Sequence, residues 1–234
     1  MMVLTPQLTD RKEAGLFLAT RLQSMADQPC TIILALARGG IEVGWMMSRA
    51  LHLPLKIFLA RKLRFPGNPE YAIGAITETG ETWLHPDIFP DSTEQSIPYH
   101  RYLDEELALQ RAEIHRQRRV YRQERTLPEL LNHTVILVDD GIATGSTFMA
   151  SIASLRALAV GKIIGAIPVA PREAIHHIHP LVDHLVVLHT PDPFISVGTY
   201  YREFPQLKDE QIQAYVPPPH ELPKTPTHPA FRNS

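Results

Sequence analysis

Mostly apolar segments of strand length alternate with helix-forming segments along the chain, and this alternation limits the folds open to it. The strand-like segments are rich in β-branched residues, which is typical of strands covered on both faces; they lie at 31–40, 55–60, 134–138, 162–169 and 184–188. Segments with helix-forming composition lie at 10–26, 41–51, 99–125, 146–158 and 171–178. The sequence therefore predicts an α/β fold: a mostly parallel, doubly wound sheet flanked by helices, with its strand-end loops at one edge.

Two segments fall outside this alternation. Residues 72–76 and 81–84, separated by Thr79-Gly80, predict a small antiparallel hairpin that forms a hood beside the main sheet. Residues 99–125 carry only a narrow apolar stripe, so we expect an edge helix. Its second half aligns basic side chains on one face, which is either a strip for RNA or phosphate or a solvated surface; these are Arg111, His115, Arg118, Arg122 and Arg125.

Length, composition and charge indicate how the chain is organised and where it works. Its 234 residues predict one domain over 1–215, and the proline-rich residues 216–234 are expected to form a flexible tail. The net charge of −2 gives no general field for a nucleic acid. There is no apolar run of the roughly 20 residues that a membrane helix needs. With one cysteine, Cys30, and no secretory signal, we expect a cytoplasmic protein without a membrane partner.

The stretch 135–147, VILVDDGIATGST, joins a strand to a helix through a loop suited to an anion. Such a loop presents unpaired N–H groups and the positive end of the helix dipole. Gly141 and Gly145 permit tight turns, and Thr144, Ser146 and Thr147 add hydroxyl donors. This predicts a site for a phosphate monoester. A nucleoside triphosphate P-loop needs lysine after its second glycine, where this chain has serine, and the glycine spacing of a dinucleotide fingerprint is also missing.

Asp139 and Asp140 directly precede this loop, where their charge would oppose a phosphate. Ionised carboxylates only accept hydrogen bonds, so they suit sugar hydroxyls while the loop suits the phosphate. Ribose 5-phosphate matches that division. With this layout, the stretch resembles the phosphoribosyl diphosphate (PRPP) motif of type I phosphoribosyltransferases. The resemblance covers most of residues 10–215 and is greatest to a group of uncharacterised members of that family.

The resemblance implies roles for several loops. In the family, the first long strand ends in a loop that binds pyrophosphate, often through a cis peptide bond, and Arg38, Gly39 and Gly40 occupy that place. A flexible loop with a basic residue closes over the pyrophosphate, and the choice among Arg61, Lys62 and Arg64 stays open. The phosphate of PRPP would be bound by the loop residues Gly141, Ile142, Ala143, Thr144, Gly145, Ser146 and Thr147.

The implied reaction transfers the 5-phosphoribosyl group of PRPP to a nitrogen nucleophile and releases pyrophosphate. The residues expected to carry catalysis are Arg38, Lys62, Asp139 and Asp140. Magnesium would be held mainly by PRPP rather than by protein side chains. On the acceptor side the candidates are Phe194 and Tyr200, whose rings either stack on a base or simply pack in the core.

Ala143 and the charge pattern indicate which substrates and partners we expect for this protein. Family members that use 6-oxopurines have an aspartate where this chain has Ala143, so hypoxanthine and guanine are disfavoured acceptors. We expect PRPP, a small nitrogenous acceptor and a second copy in a homodimer as partners, and no nucleic acid. The alternative is a PRPP-binding regulator that acts on RNA or DNA without significant catalysis, which only the basic strip favours.

Overall fold

The computed structural model describes residues 8–65, 67–85 and 97–215, and the predicted tail at 216–234 lies outside them. The strands are β1 (Thr31–Leu36), β2 (Leu55–Phe58), β3 (Ala60–Phe65), β4 (Asn68–Thr77), β5 (Thr82–Leu84), β6 (Thr134–Val138), β7 (Lys162–Val169) and β8 (His184–His189). The helices are α1 (Arg11–Arg21), α2 (Gly39–Leu51), α3 (Ile97–Arg122), α4 (Ser146–Ala157), α5 (Arg172–Ile178) and α6 (Asp209–Gln213).

The main sheet has five strands in the order β2-β1-β6-β7-β8, and each neighbouring pair is parallel. Alternate side chains of β1 enter two different cores. Ile33 and Ala35 pack with residues of α1 and α2, whereas Leu34 and Leu36 pack with residues of α4 and α5. A strand buried on both faces has to be apolar throughout, which explains the sequence pattern. The predicted doubly wound α/β fold is confirmed.

Helix α1 begins as its sequence predicts and ends earlier. The side chain of Asp10 accepts a hydrogen bond from the backbone N–H of Glu13 at 2.8 Å, which caps the first turn. The carboxylate of Glu13 accepts in return from the N–H of Thr9. The helix ends at Arg21 and a 3₁₀ turn follows at Gln23–Met25, so the predicted span of 10–26 was too long.

The hood is larger than the predicted hairpin. It is a three-stranded antiparallel sheet in the order β3-β4-β5. The basic cluster expected to begin a flexible loop lies instead on β3, where Lys62 pairs in register with Ala75 of β4. In β3 the buried Ala60 and Leu63 lie among more exposed charged residues, and a register shift follows Leu63. Charged side chains and this irregularity hid the strand in the sequence.

Buried polar pairs fasten the hood to the rest of the domain. The carboxylate of Glu78 forms an ion pair with Arg122 of α3, and both side chains are 6% exposed. Glu78 also accepts from the N–H of Leu59 at 2.9 Å. On the other side, the hydroxyls of Thr77 and Ser154 of α4 lie 2.6 Å apart. The hood is therefore attached to two helices by side chains that are distant in sequence.

Helix α3 confirms the expected edge position but not the continuous basic strip. Ile114 and Tyr121 are buried in the core. Arg122 is buried against Glu78, Arg118 pairs with Glu124, and the helix ends before Arg125. The predicted basic strip is therefore interrupted at Arg122, whose side chain is buried. Within the described ranges, no helix combines the length and apolar character needed to cross a membrane.

Candidate active site

Parallel strands β1 and β6 are neighbours, so the loops that follow them meet at one edge of the sheet. These edge loops, residues 37–40 and 139–147, border a cavity of about 520 Å³. Strand β3 of the hood forms a second wall, and residues from 197 to 207 contribute to a third. With Arg11 of α1, the fold therefore collects residues from five distant parts of the sequence around one cavity.

The second edge loop leads into helix α4. Gly145 has a φ of 82°, a left-handed conformation suited to glycine, and it is the N-cap of α4 without any side-chain cap. The N–H of Ile142 donates to the carbonyl of Val169 on β7 at 2.8 Å, which ties the loop to the sheet. Thr144 and Thr147 line the cavity, whereas Ser146 is buried and lies 3.1 Å from the hydroxyl of Thr144. The start of α4 therefore has the backbone geometry that suits an anion.

The two carboxylates at the cavity have different surroundings. Burial raises the pKa of Asp139 well above its ordinary value, the charge of Asp140 adds to the rise, and Lys62 opposes it. Asp139 Oδ1 accepts a hydrogen bond from the N–H of Asp140 at 2.8 Å. Asp140 instead pairs with Arg11, whose Nε lies 2.8 Å from Asp140 Oδ2. The charge of Asp140 is thus offset by a guanidinium, and Asp139 lies half-buried beside it.

Arg11 is a residue of this site that the sequence did not reveal. It is 4% exposed, lines the cavity and belongs to α1, far from the edge loops along the chain. Its Nη1 donates to the carbonyl of Pro205 at 2.8 Å, and its guanidinium lies 3.8 Å from the ring centroid of Phe204. No local motif distinguishes it from the other arginines, so only the folded contacts identify it.

The first edge loop packs directly on the acidic pair. The peptide bond between Ala37 and Arg38 is cis, as the family resemblance led us to expect. A Cβ added to Gly39 would lie 1.7 Å from Asp140 Oδ2, and one added to Gly40 would lie 2.7 Å from the carbonyl oxygen of Val138. Glycine is therefore required at both positions because the two edge loops touch.

Arg38 lines the cavity and contacts an acidic residue of the C-terminal helix. Its Nη1 lies 3.6 Å from Asp209 Oδ1. Asp209 also accepts from Arg116 at 2.7 Å and from the hydroxyl of Tyr121. Burial opposes ionisation of Asp209, but the bonds from Tyr121 and Arg116 outweigh it and lower the pKa of Asp209. Asp209 is thus an anion at the rim, and the sequence did not indicate it.

The three basic candidates of the hood differ in their contacts. All of Arg61, Lys62 and Arg64 line the cavity. The Nε of Arg61 donates to Gln110 at 3.0 Å, and burial lowers the pKa of Arg61. Lys62 and Arg64 are exposed, and the charge of Lys62 acts on Asp139. Lys62 is therefore the hood cation with a direct electrostatic link to the acidic pair.

The predicted aromatic residues of the acceptor side do not line this cavity. The rings of Phe194 and Tyr200 stack on each other with centroids 5.9 Å apart. The hydroxyl of Tyr200 donates to the carbonyl of Pro193 at 2.9 Å, and the ring is 8% exposed. Core packing is what the structure shows for both. The C-terminal wall of the cavity consists of Val197, Phe204, Gln206 and Leu207.

Comparison with known proteins identifies the family. Residues 8–183 match the model of the phosphoribosyl transferase domain. The chain belongs to the phosphoribosyltransferase family. It is 33% identical over 207 residues to a protein of Mycobacterium tuberculosis named "Putative phosphoribosyl transferase Rv0571c", and it matches a counterpart from a second strain equally well. The aligned region covers 88% of this chain and 46% of each relative, so the chain spans about half the length of these phosphoribosyltransferase relatives.

A solved structure supports the same fold. TT1426 from Thermus thermophilus, whose crystal structure is known, is 34% identical to this chain, with a TM-score of 0.73. The match covers 89% of this chain and 97% of that chain. The parallel five-stranded sheet, the flanking helices and the small antiparallel hood are therefore those of a type I phosphoribosyltransferase.

Proposed function

We propose that this protein transfers the 5-phosphoribosyl group of PRPP to a nitrogen nucleophile and releases pyrophosphate. The observation that carries the proposal is the arrangement around one cavity. The second edge loop, with the acidic pair at its start, forms part of one wall; Arg38 comes from the adjoining first edge loop, and Lys62 comes from the hood. An anion loop, a diol acceptor and two cations are what the three parts of PRPP need.

The 5-phosphate of PRPP binds at the start of α4, with Thr144 and Thr147 as hydroxyl donors at the cavity. Asp139 and Asp140 accept hydrogen bonds from the ribose hydroxyls. The anomeric carbon gains positive charge as its bond to pyrophosphate breaks, and the same carboxylates stabilise that charge. Arg38 and Lys62 stabilise the negative charge that develops on the leaving pyrophosphate. The nitrogen nucleophile then attacks, and none of these side chains forms a covalent bond.

The residues at the cavity are compatible with magnesium carried in by PRPP. Among the residues that the structure describes, no group of three His, Cys, Asp or Glu side chains could hold a metal ion. Mg²⁺ commonly binds through one or two carboxylates together with substrate phosphates and water. Asp139 and Asp140 are the carboxylates available at the cavity. When bound, the ion neutralises charge on the diphosphate.

The acceptor is proposed only as a nitrogen nucleophile. Ala143 is exposed at the cavity and has no titratable group, so hypoxanthine and guanine stay disfavoured. We place the acceptor near Val197 and Gln206, which line the C-terminal wall. The regulator alternative rests on the basic strip alone, and that strip is interrupted at Arg122, which is buried against Glu78.

The reaction is tested by measuring pyrophosphate release from PRPP and Mg²⁺ with a panel of acceptors that includes adenine, uracil and simple amines and amides. At least one acceptor should give release, and Arg38→Ala should lower the rate about 10²- to 10³-fold because the leaving group loses a charged partner. Arg49→Ala is the matched control, since Arg49 is exposed on α2, the helix that follows Arg38, and stacks over Trp45. If no acceptor in the panel gives pyrophosphate release and the protein shows salt-sensitive binding to RNA or DNA, the regulator is favoured.

A further inference from the structure

We propose that Arg11 is a positioning residue that fixes the carboxylate of Asp140 for the ribose diol; this role rests on the proposed function. Arg11 and Asp140 are 129 positions apart in sequence, and Arg11 Nε lies 2.8 Å from Asp140 Oδ2. The side chains are 5% and 15% exposed. A charge-assisted hydrogen bond in such surroundings orients both partners strongly.

Arg11 is itself held on two further sides. Its Nη1 donates to the carbonyl of Pro205 at 2.8 Å. The guanidinium also lies 3.8 Å from the ring centroid of Phe204. Because the guanidinium is planar, it cannot rotate in its plane without breaking these bonds or tilt without leaving the ring. Arg11 therefore transmits the position of α1 and of residues 204–205 to Asp140.

Asp140 is confined from the opposite direction as well. A Cβ atom added to Gly39 would lie only 1.7 Å from Asp140 Oδ2. The N–H of Asp140 donates to Asp139, and its carbonyl accepts from the hydroxyl of Tyr201 at 2.6 Å. These contacts fix the backbone and one carboxylate oxygen, while no backbone N–H and no cation in the described ranges donates to Oδ1, which lies on the side of the neighbouring Asp139 carboxyl. The oxygen that remains for a ligand hydroxyl is therefore Oδ1, in a direction set by Arg11.

The charge of Arg11 has a second consequence for the acidic pair. Two adjacent carboxylates repel each other, and after burial the charge of Asp140 is the next largest cause of the raised pKa of Asp139. The guanidinium of Arg11 lies against Asp140 Oδ2 and offsets the negative charge of that carboxylate. Without Arg11, the cavity would hold two neighbouring carboxylates with only the cations of the first edge loop and the hood to balance them. Asp140 would then be free to turn away from the diol.

The experiment compares calorimetric binding of ribose 5-phosphate and 2-deoxyribose 5-phosphate, which differ by one hydroxyl. The wild type should prefer the ribose compound about tenfold or more, because a hydroxyl bonded to a charged acceptor is lost in the deoxy compound. Arg11→Gln should reduce that preference to about threefold or less. The affinity of the Arg11→Gln variant for 2-deoxyribose 5-phosphate should be close to that of the wild type, since the second edge loop is intact. Arg21→Gln, on an exposed position of the same helix, should keep the wild-type preference.

Further variants keep the test decisive if Arg11→Gln fails to fold. Arg11→Lys retains the charge without the planar pair of donors, and Phe204→Leu removes the ring under the guanidinium; each should give an intermediate preference. A folded Arg11 or Phe204 variant that discriminates as the wild type does would overturn the role of Arg11. A wild type that binds neither sugar phosphate would overturn the proposed function and this role with it. If the wild type and the Arg11 variants all prefer ribose 5-phosphate to the same extent, only the role of Arg11 is overturned.

Discussion

The edge loops and the hood border the same cavity, but the contacts that hold them in place span different distances along the sequence. The second edge loop takes its turn at Gly145 and the start of α4 from local sequence, whereas Arg11 and Tyr201 hold Asp140 at its other end. The hood depends on side-chain pairs that are distant in sequence, such as Glu78 with Arg122 and Thr77 with Ser154. We therefore expect changes in the edge loops to alter ligand binding, and changes in the hood anchors to alter stability.

The largest effect is expected from Glu78→Gln in the hood. The substitution leaves the buried guanidinium of Arg122 without a balancing charge, which costs about 3–5 kcal/mol. The midpoint of thermal unfolding should fall by roughly 10 °C. Below that midpoint, calorimetry should show ribose 5-phosphate binding close to that of the wild type. Glu81→Gln, at an exposed position of the same hairpin, is the control. A melting temperature within about 2 °C of the wild type would contradict the anchoring role.

Two glycine substitutions should differ in their effect on binding in the two regions. Gly39→Ala places a Cβ on the carboxylate of Asp140, so PRPP affinity should fall about tenfold or more, and the melting temperature should fall as well because the buried Arg11 loses its partner. Gly80→Ala meets no atom within 4 Å, but its φ of 95° disfavours alanine, so it should cost about 1 kcal/mol of stability and leave binding unchanged. If both variants changed PRPP affinity to the same extent, the distinction between the edge loops and the hood would be removed.

A smaller effect on stability is expected from Asp139→Asn. Burial raises the pKa of Asp139 in the folded state, so its contribution to stability is present at acid pH and is lost as pH rises through that folded pKa. Asparagine does not titrate. The variant should therefore melt at a higher temperature than the wild type at pH 7, and the gap should close towards pH 4. A gap that is constant between pH 4 and pH 8 would show that the carboxylate carries no such cost.

The sequence predicted the parts of the molecule that depend on neighbouring residues. Apolar strands buried on both faces gave the parallel sheet, and the stretch from Asp139 to Thr147 gave the strand, the loop and the start of α4. The hood was underestimated because β3 carries Arg61, Lys62 and Arg64, and charged residues obscure the strand pattern. Its pairing with β4 is visible only after folding.

Arg11 and Asp209 could not be predicted for a different reason. Each contacts an edge loop from a helix near one end of the described chain, and neither stands in a recognisable motif. Phe194 and Tyr200 show the converse, because a suggestive aromatic cluster near the expected place packs on itself rather than on the cavity. Sequence patterns locate groups on the edge loops, whereas the residues that orient those groups follow from tertiary packing.

The central claim is that the acidic pair and the adjoining loop bind PRPP as one site. The most direct measurement is calorimetric titration of PRPP with Mg²⁺ into the wild type and into the Asp139→Ala, Asp140→Ala double variant, each checked for folding by circular dichroism. We predict binding to the wild type and affinity about a hundredfold weaker in the double variant, since two charged acceptors are lost. Absence of binding heat with the folded wild type, or equal affinity in the two proteins, would contradict the claim.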